Sequence, residues 1–246
     1  MKIARILAAG LLVATLATPA QADVKITKVE GNPGFLTGRI IYTPGGIGGS
    51  AGNTAQNLHV GQMRFSGIDT TSLAKVTFDT YCIDIFHYVQ TGTFELKAFS
   101  LGNAAKEQQV KALLSNTASF IGDATTAAGK KNVSAAIQMA VWEIVNESGI
   151  GGYSLGGGLF QVASNSGSVV PGARNLAQSY LDSLAGWQPR SGYRYTMLSG
   201  VNPAANQTQI MFGAVPEPGT WALLIAGFGA IGGAMRRRSR AKLAFA

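Results

Sequence analysis

Segments of two-residue apolar alternation recur between about residues 24 and 99, helical spacing takes over between about 103 and 185, and strand character returns after 193. This order constrains the fold more than any other feature. Strands, a helical insert and then strands again predict an α+β domain whose β part is a sandwich or a barrel. The alternation predicts strands over Val24–Val29, Phe35–Tyr42, Leu58–Phe65, Lys75–Ile85 and Thr93–Phe99, with Gly31-Asn32-Pro33-Gly34 as a turn between the first two. Within the third, the apolar phase moves from Leu58 and Val60 to Met63 and Phe65, which predicts a bulge near Gly61. In the fourth, Val76, Phe78, Thr80 and Cys82 share one face. Asn103 is placed to cap a helix carrying Val110, Leu113 and Leu114. Asn132 or Ser134 is placed to cap a second, from Ala135 to about Asn146. A third runs from Asn175 to Ala185, with Gly186 as its stop. Pro44 to Asn53 and Gly149 to Gly158 are glycine-rich loops, and strands over Tyr193–Ser199 and Gln207–Phe212 complete the domain.

Cys82 is the single cysteine of the chain. No internal disulfide can form, so the fold relies on its core. In an exported protein an odd cysteine implies an intermolecular bridge, a reactive thiol or an inert buried side chain. Its place on an apolar strand face argues against the intermolecular bridge.

The ends of the chain point to export. Lys2 and Arg5 precede an apolar run from Ile6 to Leu16, and Ala20-Gln21-Ala22 offers a small-x-small cleavage site. Residues 1–22 read as a secretory signal, with the mature chain beginning at Asp23. At the other end, Pro216-Glu217-Pro218 precedes the apolar stretch from Gly219 to Met235. Arg236, Arg237, Arg238 and Arg240 follow it. As a helix this stretch would be about 25 Å long, the short end of what crosses a ~30 Å hydrocarbon core. The arginines would act as a membrane stop on the cytoplasmic side and leave the body, residues 23–214, outside the inner membrane. A formal net charge of +8 suggests a nucleic-acid partner, but its location argues otherwise. Between Asp23 and Ala214 there are 13 basic and 11 acidic residues, so no phosphate-binding surface is indicated.

The tail resembles the PEP-CTERM sorting segment of Gram-negative bacteria. The resemblance rests on Pro216-Glu217-Pro218, Trp221-Ala222, Gly227-Phe228-Gly229, Gly232 and the arginine cluster. It implies recognition by an exosortase-type protease, transient membrane anchoring, and delivery to the cell surface or extracellular matrix. Gly227-x-Gly229-x-x-Gly232 also matches a dinucleotide-binding pattern. It lacks the preceding strand and the downstream acidic residue which that motif needs, and is rejected.

Two further segments, Tyr81-Cys82-Ile83-Asp84 and Ile137-Gln138-Met139-Ala140-Val141-Trp142, together resemble the thioester domain at the tips of Gram-positive surface adhesins. That family pairs a Tyr/Phe-Cys strand segment with a later Gln-x-Ala-Ile/Val-Trp segment. Ile137 departs from it, standing where Thr or Val is usual. The resemblance implies an internal thioester between the Cys82 sulfur and the Gln138 side-chain carbonyl, open to capture by an amine such as a lysine of another protein. A thiolate attacks a carboxamide only when both groups are held in near-attack geometry. Water would destroy the product, and Tyr81 and Trp142 are the expected shields.

A rival reading takes Cys82, Asp84 and His87 as a nucleophile with its base, or as a partial metal site. On an extended strand His87 points away from the other two, so no enzymatic activity, metal or cofactor is expected. The reading is therefore an exported, surface-sorted adhesion or matrix protein with a Cys82–Gln138 thioester. The alternative is a noncovalent structural or carbohydrate-binding matrix protein with an inert Cys82.

Overall fold

The computed structural model describes residues 23–164, 171–202, 206–215, 226–228 and 231. The signal segment, Pro216-Glu217-Pro218 and the arginines at 236–240 lie outside the described residues, as does most of the expected membrane span. Among the described residues no helix is long and apolar enough to cross a membrane.

Nine strands and four α-helices are described. The strands are β1 (Val24–Gly31), β2 (Leu36–Tyr42), β3 (Ala55–Val60), β4 (Met63–Asp69), β5 (Lys75–Cys82), β6 (Gly92–Ala98), β7 (Phe160–Val162), β8 (Tyr193–Gly200) and β9 (Gln209–Ala214). The helices are α1 (Ala104–Asn116), α2 (Phe120–Asp123), α3 (Ala127–Asn146) and α4 (Pro171–Ser183). Six strands close an antiparallel barrel in the order β1-β4-β5-β9-β8-β6, and β3-β2-β7 form a separate small sheet. The α+β class and the barrel agree with the apolar pattern. Closure removes the exposed edges that a six-stranded sheet would otherwise present. Alternate side chains fill the barrel. Phe65 and Phe94 are fully buried and meet edge to face at 5.6 Å, among the buried Val24, Ile26 and Leu198.

The phase change at Gly61 has a larger consequence than the expected bulge. The strand anticipated over Leu58–Phe65 is two strands in different sheets, β3 pairing with β2 and β4 with β1 and β5. Gly61 sits between them at φ +145°, a conformation that side-chain-bearing residues rarely adopt. The Gln62 N–H donates to Ser134 Oγ at 2.7 Å, which ties this crossover to α3.

Helix α1 starts where the sequence places it, with Asn103 Oδ1 accepting from the N–H groups of Ala105 and Lys106. Helix α3 does not. Thr126 caps it, accepting from the Gly129 N–H at 3.0 Å, so Asn132 and Ser134 lie inside the helix. Its first turns carry little apolar signal, which is why spacing alone starts it too late. From Ser134 to Ile144 every residue is buried. The helix runs between α1, α2 and α4 and the strands β2, β3, β5 and β7, so it is covered on all sides rather than along one stripe. Strand β7 escapes the sequence reading because three residues are too few to show a period.

Candidate functional site

The end of β5 lacks a strand neighbour along one edge. Strand β4 stops pairing with it at Met63 opposite Thr80, two residues before Cys82. On the other edge β9 continues, and the Ile83 N–H donates to Thr208 O at 3.1 Å. Backbone groups alternate along a strand, so the N–H and C=O of Cys82 point toward the vacated edge. Gln138, from the centre of α3, fills it. The Cys82 N–H donates to Gln138 Oε1 at 2.9 Å, and Gln138 Nε2 donates to Cys82 O at 2.7 Å. Both residues are 0 % exposed. The carboxamide thus takes the place of a missing strand residue.

The Cys82 sulfur is held by the turn that follows. It donates to Asp84 O at 2.8 Å and accepts from the Asp84 N–H at 3.2 Å. Burial pushes the thiol far above its ordinary value, opposed by the Trp142 indole N–H and the Asp84 N–H. Trp142 lies one helical turn beyond Gln138, is 1 % exposed, and has its ring 6.4 Å from that of Phe160. Its Nε1 makes no hydrogen bond of ordinary geometry among the described residues. Tyr81 is also buried, but on the opposite face of β5. Its ring stacks toward Phe212 at 6.4 Å, because neighbouring strand residues point to opposite sides. The expected shield at Cys82 is therefore Trp142, with Tyr81 part of the helix-facing core.

Asp84 and His87 correct a second expectation. The strand ends at Cys82, so the extended geometry that would separate them is absent. Asp84 Oδ1 accepts from the Phe86 N–H at 2.7 Å and turns the chain. This brings His87 Nδ1 to 2.7 Å from Asp84 Oδ2. Among the described residues no group of three or more potential ligands could hold a metal. A cavity of about 540 Å³ opens beside these groups, lined among others by Phe35, Leu58, His59, His87, Trp142 and Gln207.

Glu143, adjacent to Trp142, is a buried carboxyl that sequence reasoning missed. The available signal was Glu143 and Glu147 four residues apart on a helix just before a glycine-rich loop. Glu143 Oε1 accepts from the Ser154 N–H at 2.7 Å and Glu147 Oε2 from the Leu159 N–H at 2.8 Å, tying that loop to α3. Glu143 Oε2 has no hydrogen-bond partner among the described residues. Burial pushes the Glu143 carboxyl up to about 7, the Ser154 bond opposing and Glu147 assisting. The unfolded carboxyl ionises first, from about 4.5. Between these values the folded state binds more protons, so stability falls as pH rises, by up to about 1.4 kcal/mol per unit, and levels off above 7. Urea midpoints at pH 5 and pH 8 should show this fall in the natural chain and a flatter profile in Glu143→Gln. Equal slopes would show that the buried carboxyl is not responsible.

Comparison with known proteins follows the same outline. A family model described as the thioester domain matches residues 79–180, from the end of β5 into α4, and so includes both Cys82 and Gln138. A second, described as the PEP-CTERM protein-sorting motif, matches residues 214–238. No curated protein and no solved structure matches the chain. A thioester-domain match spanning the Cys82–Gln138 pair and a PEP-CTERM sorting motif behind it thus occur together in this one chain.

Proposed function

We propose that the protein is exported, sorted to the cell surface, and attached covalently to amine-bearing partners through an internal thioester between Cys82 and Gln138. The two family matches support a surface-sorted, adhesin-like protein. The observation that carries the chemistry is the reciprocal pairing of the Gln138 carboxamide with the Cys82 backbone.

In forming the bond, the Cys82 sulfur attacks the Gln138 side-chain carbonyl carbon, and Nε2 leaves as ammonia. Negative charge develops on Oε1, which already accepts from the Cys82 N–H at 2.9 Å. A fixed donor of this kind is an oxyanion stabiliser, and losing one typically costs about 10²–10³ in rate. The neutral thioester suits a site whose burial penalises a thiolate. A lysine amine then attacks the same carbonyl carbon, the C–S bond breaks, and the partner is left joined to Gln138 by an amide. Exosortase-type processing at Pro216-Glu217-Pro218 would release the domain from its transient membrane anchor to the surface or the extracellular matrix.

Intact mass of the exported chain tests this directly. The expected result is a mass short by one ammonia, converted by methylamine into an adduct and absent from Cys82→Ala. A full mass with an alkylatable Cys82 would overturn the proposal.

A further inference from the structure

Two cavities flank the turn from Cys82 to Asp84, and they differ in charge. One, of about 530 Å³, is lined by the charged side chains of Asp84, Lys106 and Glu147. The other, of about 540 Å³, contains no lysine or arginine, and its lining includes both His59 and His87. Two residues that line the second cavity connect it to the surroundings of the buried sulfur. Trp142 lines it and lies one turn from Gln138. Gln207 also lines it, and its Nε2 donates at 2.9 Å to Asp84 O, the same carbonyl that accepts from the Cys82 sulfur. Phe35 and Leu58 supply apolar wall suited to the aliphatic stem of a lysine.

His87 stands in this cavity with one ring nitrogen committed. Asp84 Oδ2 lies 2.7 Å from Nδ1, and the Asp84 carboxylate is itself held by the Phe86 N–H and, at 3.4 Å, by the Thr208 N–H. A carboxylate on Nδ1 favours the tautomer with its proton there, which leaves Nε2 as an acceptor. The His87 side chain is 33 % exposed and lines the cavity, so the imidazole is open to a group that enters there. The chemistry needs such an acceptor. An amine nitrogen becomes cationic as it attacks, and the departing sulfur is an anion in a site where burial disfavours one.

We propose that this cavity admits the partner's amine and that His87, oriented by Asp84, takes the proton from the attacking nitrogen and returns it to the departing Cys82 sulfur. The proposal rests on the thioester reading. The N–C bond forms as the C–S bond breaks, and the amine's proton ends on the Cys82 thiol, so no other reactant is needed.

The test follows amine capture by intact mass in the exported chain, with methylamine and hydroxylamine as probes. His87→Gln should still form the thioester, since ammonia is still lost. Methylamine, strongly basic, should react about 100-fold more slowly, and hydroxylamine, whose attacking nitrogen gives up its proton readily, less than about tenfold more slowly. His59→Gln, in the same cavity but without a tie to Asp84, should leave the ratio of the methylamine and hydroxylamine rates at its natural value, whatever it does to entry of either amine. Leu58→Trp, which fills the cavity, should slow a blocked lysine more than methylamine. Unchanged capture in His87→Gln, or equal slowing of both amines, would overturn the proposal while leaving the thioester intact. A natural chain that never loses ammonia would overturn the thioester reading and this proposal with it.

Discussion

Gln138→Ala should abolish methylamine incorporation and also leave the domain about 2–6 kcal/mol less stable than Cys82→Ala, which keeps the carboxamide. The chemical loss follows from removing the acyl group. The stability loss follows from the strand edge. Without the carboxamide, the buried N–H and C=O of Cys82 lose their partners, and each unsatisfied buried group costs about 1–3 kcal/mol. Cys82→Ala separates the two effects. It removes the nucleophile but leaves both backbone bonds to Gln138 in place, so it should abolish the adduct at a smaller cost in stability. Urea unfolding of the two variants, with unchanged slopes, measures the difference. If Gln138→Ala proves no less stable than Cys82→Ala, the carboxamide does not complete the edge of β5 in solution.

Trp142→Ala should have an effect of comparable size, about 3–5 kcal/mol of stability, from the cavity left by a fully buried indole. It should also shorten the life of the thioester. Trp142 lines the 540 Å³ cavity with its indole N–H near the Cys82 sulfur, so its removal widens the path by which water reaches the bond. The mass of the variant should pass from the ammonia-loss value to one heavier by a water, and the same change should be far slower in the natural chain. Trp142→Phe separates shielding from hydrogen bonding. It keeps most of the ring but removes the unpartnered Nε1 donor near the sulfur. A Trp142→Ala chain that holds its thioester as long as the natural one would show that the indole is not the barrier to water.

Much of the architecture was legible because it rests on local periodicity. The two-residue pattern of β5 survives in the structure, where Thr80 and Cys82 share a face and Thr80 donates to Gln209 Oε1 at 3.2 Å. The motif around Gln138 sits on a helix, as its spacing indicated. Other features were illegible because they depend on partners distant in sequence. The phase change at Gly61 is visible in the residues, but only the pairing of β3 with β2 and β4 with β1 makes it a change of sheet. The start of α3 was hidden because its exposed first turns lack apolar residues to mark a face.

The residues alone determined that a lone cysteine on an apolar strand face is followed by a Gln-x-Ala-Val-Trp helix segment and a sorting-type tail. Residue type and spacing carry that information without a fold. Tertiary structure decided how Cys82 and Gln138 meet, through a carboxamide that completes the unpaired edge of β5 across 56 positions of sequence. It also moved Tyr81 away from the sulfur and brought His87 to Asp84. Strand alternation fixes the first only once β5 is known to run through Cys82. The second depends on where β5 ends, which is set by the strands beside it.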